Sequence, residues 1–384
     1  MRILYKKWAI NNLYFKQEMT NKINNNGYPL KYIKELDGIR GIAALMVIFF
    51  HFWSSAHTNY FIKKISVFGQ TGVTMFFVLS GFLIGRILLN TKNDENYFKI
   101  FYIRRILRIF PLYYFFLIIF YLIVPRLVNW ESINYPKWYY YFFLQNIPAT
   151  FNWKHFGPSH YWSLAVEEHF YLILPLIIYY CSFRRIKLIL YCLIVCAFIF
   201  RIILLNHYLE VFYFTFTTMD ALALGALLSL IEVERGFRKS DLKIYLIIML
   251  AVFVLIIILW NYANGKALLI VQEFKFFFIA LTYFCFIGLI ICSSESSFMR
   301  RILNSKALQY SGKISYGLYI YHPLCFLLLQ TLSLDVSPII NFGIALLLIY
   351  GISALSYNLF ESKVLSLKRY FTYNNLNYNT QTRY

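Results

Sequence analysis

Ten apolar stretches punctuate the chain, near 38–55, 67–89, 107–125, 161–181, 187–206, 212–231, 243–262, 271–292, 314–331 and 338–360. Each is long enough to cross the roughly 30 Å hydrocarbon core of a bilayer as a helix. Basic residues alternate with this pattern. The N-terminal arm and the loops 86–108, 182–187, 232–243, 293–313 and 361–384 hold 28 Lys or Arg, whereas the opposite loops hold 6. Because cytoplasmic loops carry the excess of Lys and Arg, the pattern predicts an all-α polytopic membrane bundle of about ten transmembrane helices with both termini cytoplasmic. Removing one helix would scramble the asymmetry. The chain then divides into a basic, Asn-rich cytoplasmic arm over 1–34, a transmembrane domain over 35–362 and a cytoplasmic tail over 363–384. The longest outer loop, about 126–160, is broken by Pro and Gly, so a re-entrant or interfacial segment is expected there rather than a span.

Composition agrees with the pattern. A chain that is 60% hydrophobic and only 14% charged has too little polar surface to cover a soluble globule. The net charge of +20 raises nucleic acid as a partner, but basic residues spread between apolar segments are explained by topology and anionic headgroups. No nucleic-acid partner is expected; the lipid bilayer is. Cys181, Cys192, Cys196, Cys285, Cys292 and Cys325 lie in or beside apolar runs, with no CxxC and no Cys/His cluster at metal spacing. They read as small core hydrophobes, and no metal is expected. The first 26 residues sustain no apolar run before a small-residue cleavage site, so the first membrane helix is expected to act as its own uncleaved signal.

The candidate chemistry starts in the first apolar stretch, 36-LDGIRGIAALMVIFFHF-52, which carries Asp37, Arg40 and His51. At about 100° per residue Arg40 and His51 differ by ~20° around the axis, and Asp37 falls within roughly 60° of both. The rise per residue sets Arg40 and His51 about 16 Å apart, roughly half a bilayer core. One polar stripe therefore runs from the cytoplasmic surface towards the midplane, unless the helix bends at Gly38 or Gly41. Ionisable groups are costly in a membrane helix and mark function by default. The alternatives are a packed, hydrogen-bonded His51 and an Asp37–Arg40 pair that only anchors the helix.

Further along, 76-FFVLSGFLI-84, 104-RRILRIFP-111, 161-YWSLAVEEHFYLILP-175, 220-DALALGALL-228 and 312-GKISYGLYIYH-322 follow in order. Together with 36-LDGIRGIAALMVIFFH-51 they make residues 35–362 resemble the acyltransferase-3 family of membrane O-acyltransferases. Each motif alone is weak; six in order with the family's helix count are specific. The resemblance implies transfer of an acyl group, commonly acetyl, from acyl-CoA to a hydroxyl of a surface polysaccharide, lipopolysaccharide, peptidoglycan or small molecule. Two departures stand out. Thr218 occupies the place, two residues before Asp220, where the family often has an Arg, which leaves the partner of Asp220 unidentified. The closing Glu-Lys-Pro is here 361-ESK-363.

On this reading His51 is the general base that takes the acceptor's hydroxyl proton, because imidazole titrates nearest neutrality. Arg40 polarises the thioester carbonyl or holds the CoA end, and Asp37 orients it. Arg104 and Arg108, one helical turn apart just before the third helix, offer two guanidiniums to the phosphates of CoA, with Arg105 between them; the bland reading is positive-inside anchoring. His160, Ser163, Glu167 and Tyr171 share one face of the fourth helix. Glu167 is expected to orient an acceptor hydroxyl or to pair with His51, and His160 and Ser163 to contact substrate, against the alternative of a polar cap under the outer loop. His322 is a candidate for lining the acceptor path or for a structural hydrogen bond. Ser80 and Gly81 read as a close-packing surface.

The expected protein is thus a multi-pass O-acyltransferase of a cytoplasmic (inner) membrane. Its donor is acyl-CoA, most simply acetyl-CoA, and its acceptor a glycan or lipid-linked sugar of the envelope. Its rivals are a transporter or flippase, because midplane polar groups also mark solute paths, and a non-catalytic partner in polysaccharide assembly. The sequence carries no signal for an oligomeric state.

Overall fold

The computed structural model describes residues 32–55, 60–127, 134–263, 269–332 and 335–373, and among them every regular element is helical. Most of the basic arm and the tail beyond Tyr373 lie outside the described residues. The long elements, in order, are α1 (Glu35–Ser55), α2 (Tyr60–Gly69), α3 (Gly72–Thr91), α4 (Tyr97–Leu127), α5 (Trp162–Tyr180), α6 (Phe183–Asn206), α7 (Thr215–Arg235), α8 (Asp241–Ala263), α9 (Leu269–Cys292), α10 (Ser315–Leu332) and α11 (Pro338–Ser356). All ten expected spans are helices, the second being α3 with α2 leading into it. Eight helical stretches among the described residues are long and apolar enough to cross a membrane. The two long helices that fall short, α5 and α10, carry Glu167, Glu168 and His169 and His322 into the bundle.

The third span differs from expectation at its start. α4 runs for 31 residues from Tyr97, so Arg104, Arg105 and Arg108 lie inside the helix and not before it. At ~1.5 Å per residue such a helix is about 46 Å long, more than the hydrocarbon requires.

Small residues decide which helices meet. A Cβ on Gly81 of α3 would run into the Leu222 carbonyl of α7, and one on Gly225 would run into that of Val78. Backbones this close are typical of membrane helices packed on glycine. In α1 a Cβ on Gly38 would overlap the Leu303 carbonyl. α1 runs unbroken through Gly38 and Gly41, and these glycines serve close approach to the 298–313 segment.

Asp220 finds its partner on another helix. Arg201 of α6 donates from Nη2 to Asp220 Oδ2 at 2.5 Å, with both side chains essentially without solvent access. The outer loop forms two short helices, Trp138–Tyr141 and Asn146–Thr150. It is tied inward by Tyr113 Oη to the Tyr140 carbonyl at 2.7 Å and by Asn146 Nδ2 to Thr215 Oγ1 at 2.8 Å. After α11 a π turn (Tyr357–Glu361), a short helix (Ser362–Ser366) and a 3-10 turn (Leu367–Tyr370) bring the chain back against the first half of α4.

Candidate functional site

Helices α1, α3, α4, α5 and α10 enclose a cavity of about 100 Å³. Three guanidiniums reach its wall, Arg40 from α1 and Arg105 and Arg108 from α4, together with one carboxylate, Glu167 of α5. The rest of the lining is mainly aromatic and aliphatic, including Phe76, Phe77, Ile109 and Tyr316. Arg40 Nη1 donates to Asp37 Oδ1 at 2.8 Å, and the Tyr32 hydroxyl also donates to Asp37. The Asp37–Arg40 pair expected from the stripe is therefore formed, one helical turn apart. Arg105 lies beside the rings of Phe101 and Tyr171, its carbon 5.8 and 6.0 Å from their centroids. Such faces favour a cation without neutralising it.

Glu167 is held by two donors. Ser80 Oγ donates to Oε1 at 2.7 Å and Tyr171 Oη donates to Oε2 at 3.2 Å. This arrangement differs from the expected pairing with His51: both oxygens are turned to the cavity wall, where hydroxyls offset the cost of burial. Ser80, read from sequence as packing, thus also contributes a hydrogen bond.

The predicted Arg104–Arg108 pair is divided by the fold. Arg104 Nη1 donates to the carbonyls of Phe371 at 2.8 Å and Lys368 at 3.2 Å, which ties the chain end to α4. Arg105 and Arg108 are the residues of that motif at the cavity. The reason is geometric: the returning segment covers one side of α4, and Arg104 faces it.

A second polar group lies deeper in the bundle. His322 of α10 and His51 of α1 meet with Nε2···Nδ1 at 3.2 Å, and the rings of His322 and His160 stand 5.2 Å apart between centroids. His322 and His160 are buried, at 0% and 3% exposure. Local sequence sets the proton positions. Pro323 has no N–H, so the Tyr319 carbonyl four residues earlier lacks its helical donor. His322 Nδ1 takes that place at 2.8 Å. A carbonyl only accepts, so Nδ1 of His322 carries the proton and Nε2 is the acceptor. His51 Nδ1 contacts both this Nε2 and the Val47 carbonyl, the latter at 3.0 Å. Two acceptors on one nitrogen require Nδ1–H, which makes Nε2 the basic nitrogen of a neutral His51.

Tyr319 stands between the two groups. It lines the cavity, and its ring lies 5.8 Å from His322 and 5.3 Å from His160 between centroids. Its hydroxyl donates to the His160 carbonyl at 2.5 Å, so it accepts from Ser163 Oγ, also 2.5 Å away. Ser163 is on the cavity wall as well.

The structure therefore distributes the sequence-predicted residues over two neighbouring groups. Arg40, Arg105, Arg108, Ser163 and Glu167 border the cavity, with Asp37 behind Arg40; His51, His160 and His322 form the deeper cluster; Arg104 belongs to neither. Tyr319 was not singled out from sequence, although it lies within 312-GKISYGLYIYH-322, three residues before His322 and hence on the same helical face. Among the described residues no group of three or more His, Cys, Asp or Glu side chains is arranged to hold a metal ion.

Comparison with known proteins adds three findings. The family described as "Acyltransferase domain" matches residues 33–358. A Bacillus subtilis protein provisionally named a peptidoglycan O-acetyltransferase, YrhL, is 29% identical over 325 residues, covering 76% of this chain and 48% of that protein. The peptidoglycan O-acetyltransferase OatA of Listeria monocytogenes is 28% identical over 328 residues, covering 77% and 49%. The chain thus spans about half the length of the curated relatives it matches. No solved structure gives a significant match.

Proposed function

The chain belongs to the acyltransferase-3 family, and we propose that it is a membrane O-acyltransferase that moves a short acyl group, acetyl, from acyl-CoA to a hydroxyl of a cell-envelope glycan. The observation that carries this reading is the split of one polar stripe: α1 presents Arg40 to a basic cavity and His51 to a buried histidine pair, with Tyr319 between them. A donor with phosphates at one end of an extended arm and a thioester at the other suits that spacing, and acyl-CoA is such a donor. The Bacillus and Listeria relatives are named O-acetyltransferases, which favours acetyl as the group moved.

In this proposal the phosphates lie against Arg105 and Arg108, and bidentate guanidiniums give them register as well as charge. The acceptor hydroxyl meets His51 from the opposite side. Nε2 of His51 removes the hydroxyl proton as the oxygen attacks the thioester carbonyl, giving a tetrahedral intermediate, while Arg40, about 16 Å away along α1 and bonded to Asp37, helps to hold the CoA end of the donor. Collapse breaks the carbon–sulfur bond. The leaving thiolate takes the proton back from His51, so the ester and free CoA form with no net proton gained or lost. His322 holds His51 in the tautomer that exposes the base at Nε2. Glu167, bonded to Ser80 and Tyr171, is the one carboxylate on the cavity wall beside Arg40 and Arg108.

The membrane is the cytoplasmic one in this reading, with the donor on the cytoplasmic side and the acceptor outside. The names of the Bacillus and Listeria relatives favour a peptidoglycan-type acceptor; O-antigen and exopolysaccharide sugars are the other envelope glycans of the right chemistry. The test is mass spectrometry of envelope glycans from cells that make the protein, lack it, or make His51→Ala at equal membrane abundance. Loss of O-acetyl groups in the last two is expected. Unchanged O-acetylation in His51→Ala cells would sink the proposal.

A further inference from the structure

The segment after α11 contains a lysine in an unexpected position. In the 3-10 turn Leu367–Tyr370 the apolar side chains face outward, with Leu367 at 42% and Tyr370 at 65% exposure, while Lys368 is 8% exposed. A turn that merely rested on the bundle would bury Leu367 and release the ammonium to water, because a buried cation without a partner is strongly disfavoured. Lys368 is held instead against the basic part of α4, its carbonyl accepting from Arg104 Nη1 at 3.2 Å. Its strongest charge neighbours are, in order, Arg108, Arg105, Arg104 and Arg40. Among the described residues, no carboxylate lies within ion-pair distance of it.

Five basic side chains from three parts of the chain therefore gather around the first half of α4, Arg40, Arg105 and Arg108 on the cavity wall and Arg104 and Lys368 beside it. Asp37 is paired to Arg40, and Glu167 is occupied by two hydroxyls. The fold nevertheless secures the arrangement: Arg104 donates to the carbonyls of both Lys368 and Phe371, so one cation clamps the backbone that delivers another. Like charges held together at this cost are compensated when a multiply charged anion binds among them.

We propose that Lys368 completes, with Arg105 and Arg108, a site for phosphate or diphosphate groups, and that residues 362–373 form a strap over it with Arg104 as its clasp. This rests on the acyl-CoA reading above, under which the phosphates are those of the nucleotide end of CoA. A phosphate-bearing lipid headgroup has the same chemistry, and the test separates the two sources.

The full chain is reconstituted in nanodiscs of phosphatidylcholine alone, and equilibrium binding of acetyl-CoA is measured for wild type, Lys368→Met, Lys368→Arg and Arg108→Ala. Loss of one buried charge-assisted contact predicts about a tenfold weaker affinity for Lys368→Met, with Lys368→Arg within about threefold of wild type. Lys368→Met should also show a shallower dependence of binding on salt. If Arg108→Ala weakens binding about tenfold while Lys368→Met and Lys368→Arg both bind as wild type does, the strap proposal fails and the donor reading stands. If wild type binds no acetyl-CoA, the donor reading fails. In that case Lys368-dependent retention of phosphatidylglycerol in mixed nanodiscs would assign the site to lipid, and its absence would remove the site altogether.

Discussion

The basic cavity and the histidine cluster share two helices, α1 and α10, and solve opposite problems. The cavity wall gathers charge: Arg40, Arg105 and Arg108 face it with Glu167 as the one carboxylate, so it attracts an anion at a distance and holds it. The histidine cluster contains no acid and no permanent cation. Among the described residues its bonds run to carbonyls within α1 and α10 and between His51 and His322. It is built to fix a proton on a particular nitrogen. Under the proposed function the first region recognises the donor and the second performs the chemistry, with Tyr319 at their boundary. The two therefore differ in which kinetic quantity each controls.

The largest effect is expected from the histidines. His51→Ala removes the general base and should lower kcat about 10²- to 10⁴-fold with little change in the KM for acyl-CoA; a loss confined to KM would place His51 with the cavity instead. His322→Leu keeps the base but frees its tautomer, so a fall in kcat of roughly 10- to 100-fold is expected, read in the same steady-state assay. Arg108→Ala should do the converse. It raises the KM for acyl-CoA about tenfold, leaves kcat nearly intact and weakens the salt dependence of KM. An equal fall in kcat would erase the division of labour. Pro323→Ala returns a backbone N–H that donates to the Tyr319 carbonyl and competes with His322 Nδ1–H for that acceptor. A change of only a few-fold in kcat, with KM unchanged, is expected, and its absence would show that the proline has no part in setting the tautomer.

The sequence reached part of this site and missed the rest for identifiable reasons. Asp37, Arg40 and His51 were legible as one face because they lie on one helix, where period alone decides orientation. Ser163, Glu167 and Tyr171 were legible for the same reason. The bond of Ser80 to Glu167, the contact of His51 with His322 and the pairing of Arg201 with Asp220 all join different helices. No spacing within one segment encodes them. Arg104 and Arg108 do lie one turn apart, yet the returning chain end claimed Arg104, a contact between residues more than 260 positions apart. Lys368 looked like part of a cytoplasmic tail because nothing near it in sequence says what covers it.

What the sequence determined alone was the all-helical, membrane-spanning class of the chain and the charge asymmetry between its loops. A bilayer reduces both to one dimension: apolar length must match hydrocarbon thickness, and basic residues mark one side. Which helix faces meet was decided by tertiary structure. In hydrocarbon that choice rests on close packing between backbones, as at Gly81 and Gly225, and on polar groups that must find partners across helices. The stripe of α1 was therefore visible from the start. Only the packed bundle could set His322 against one end of it and a basic cavity against the other.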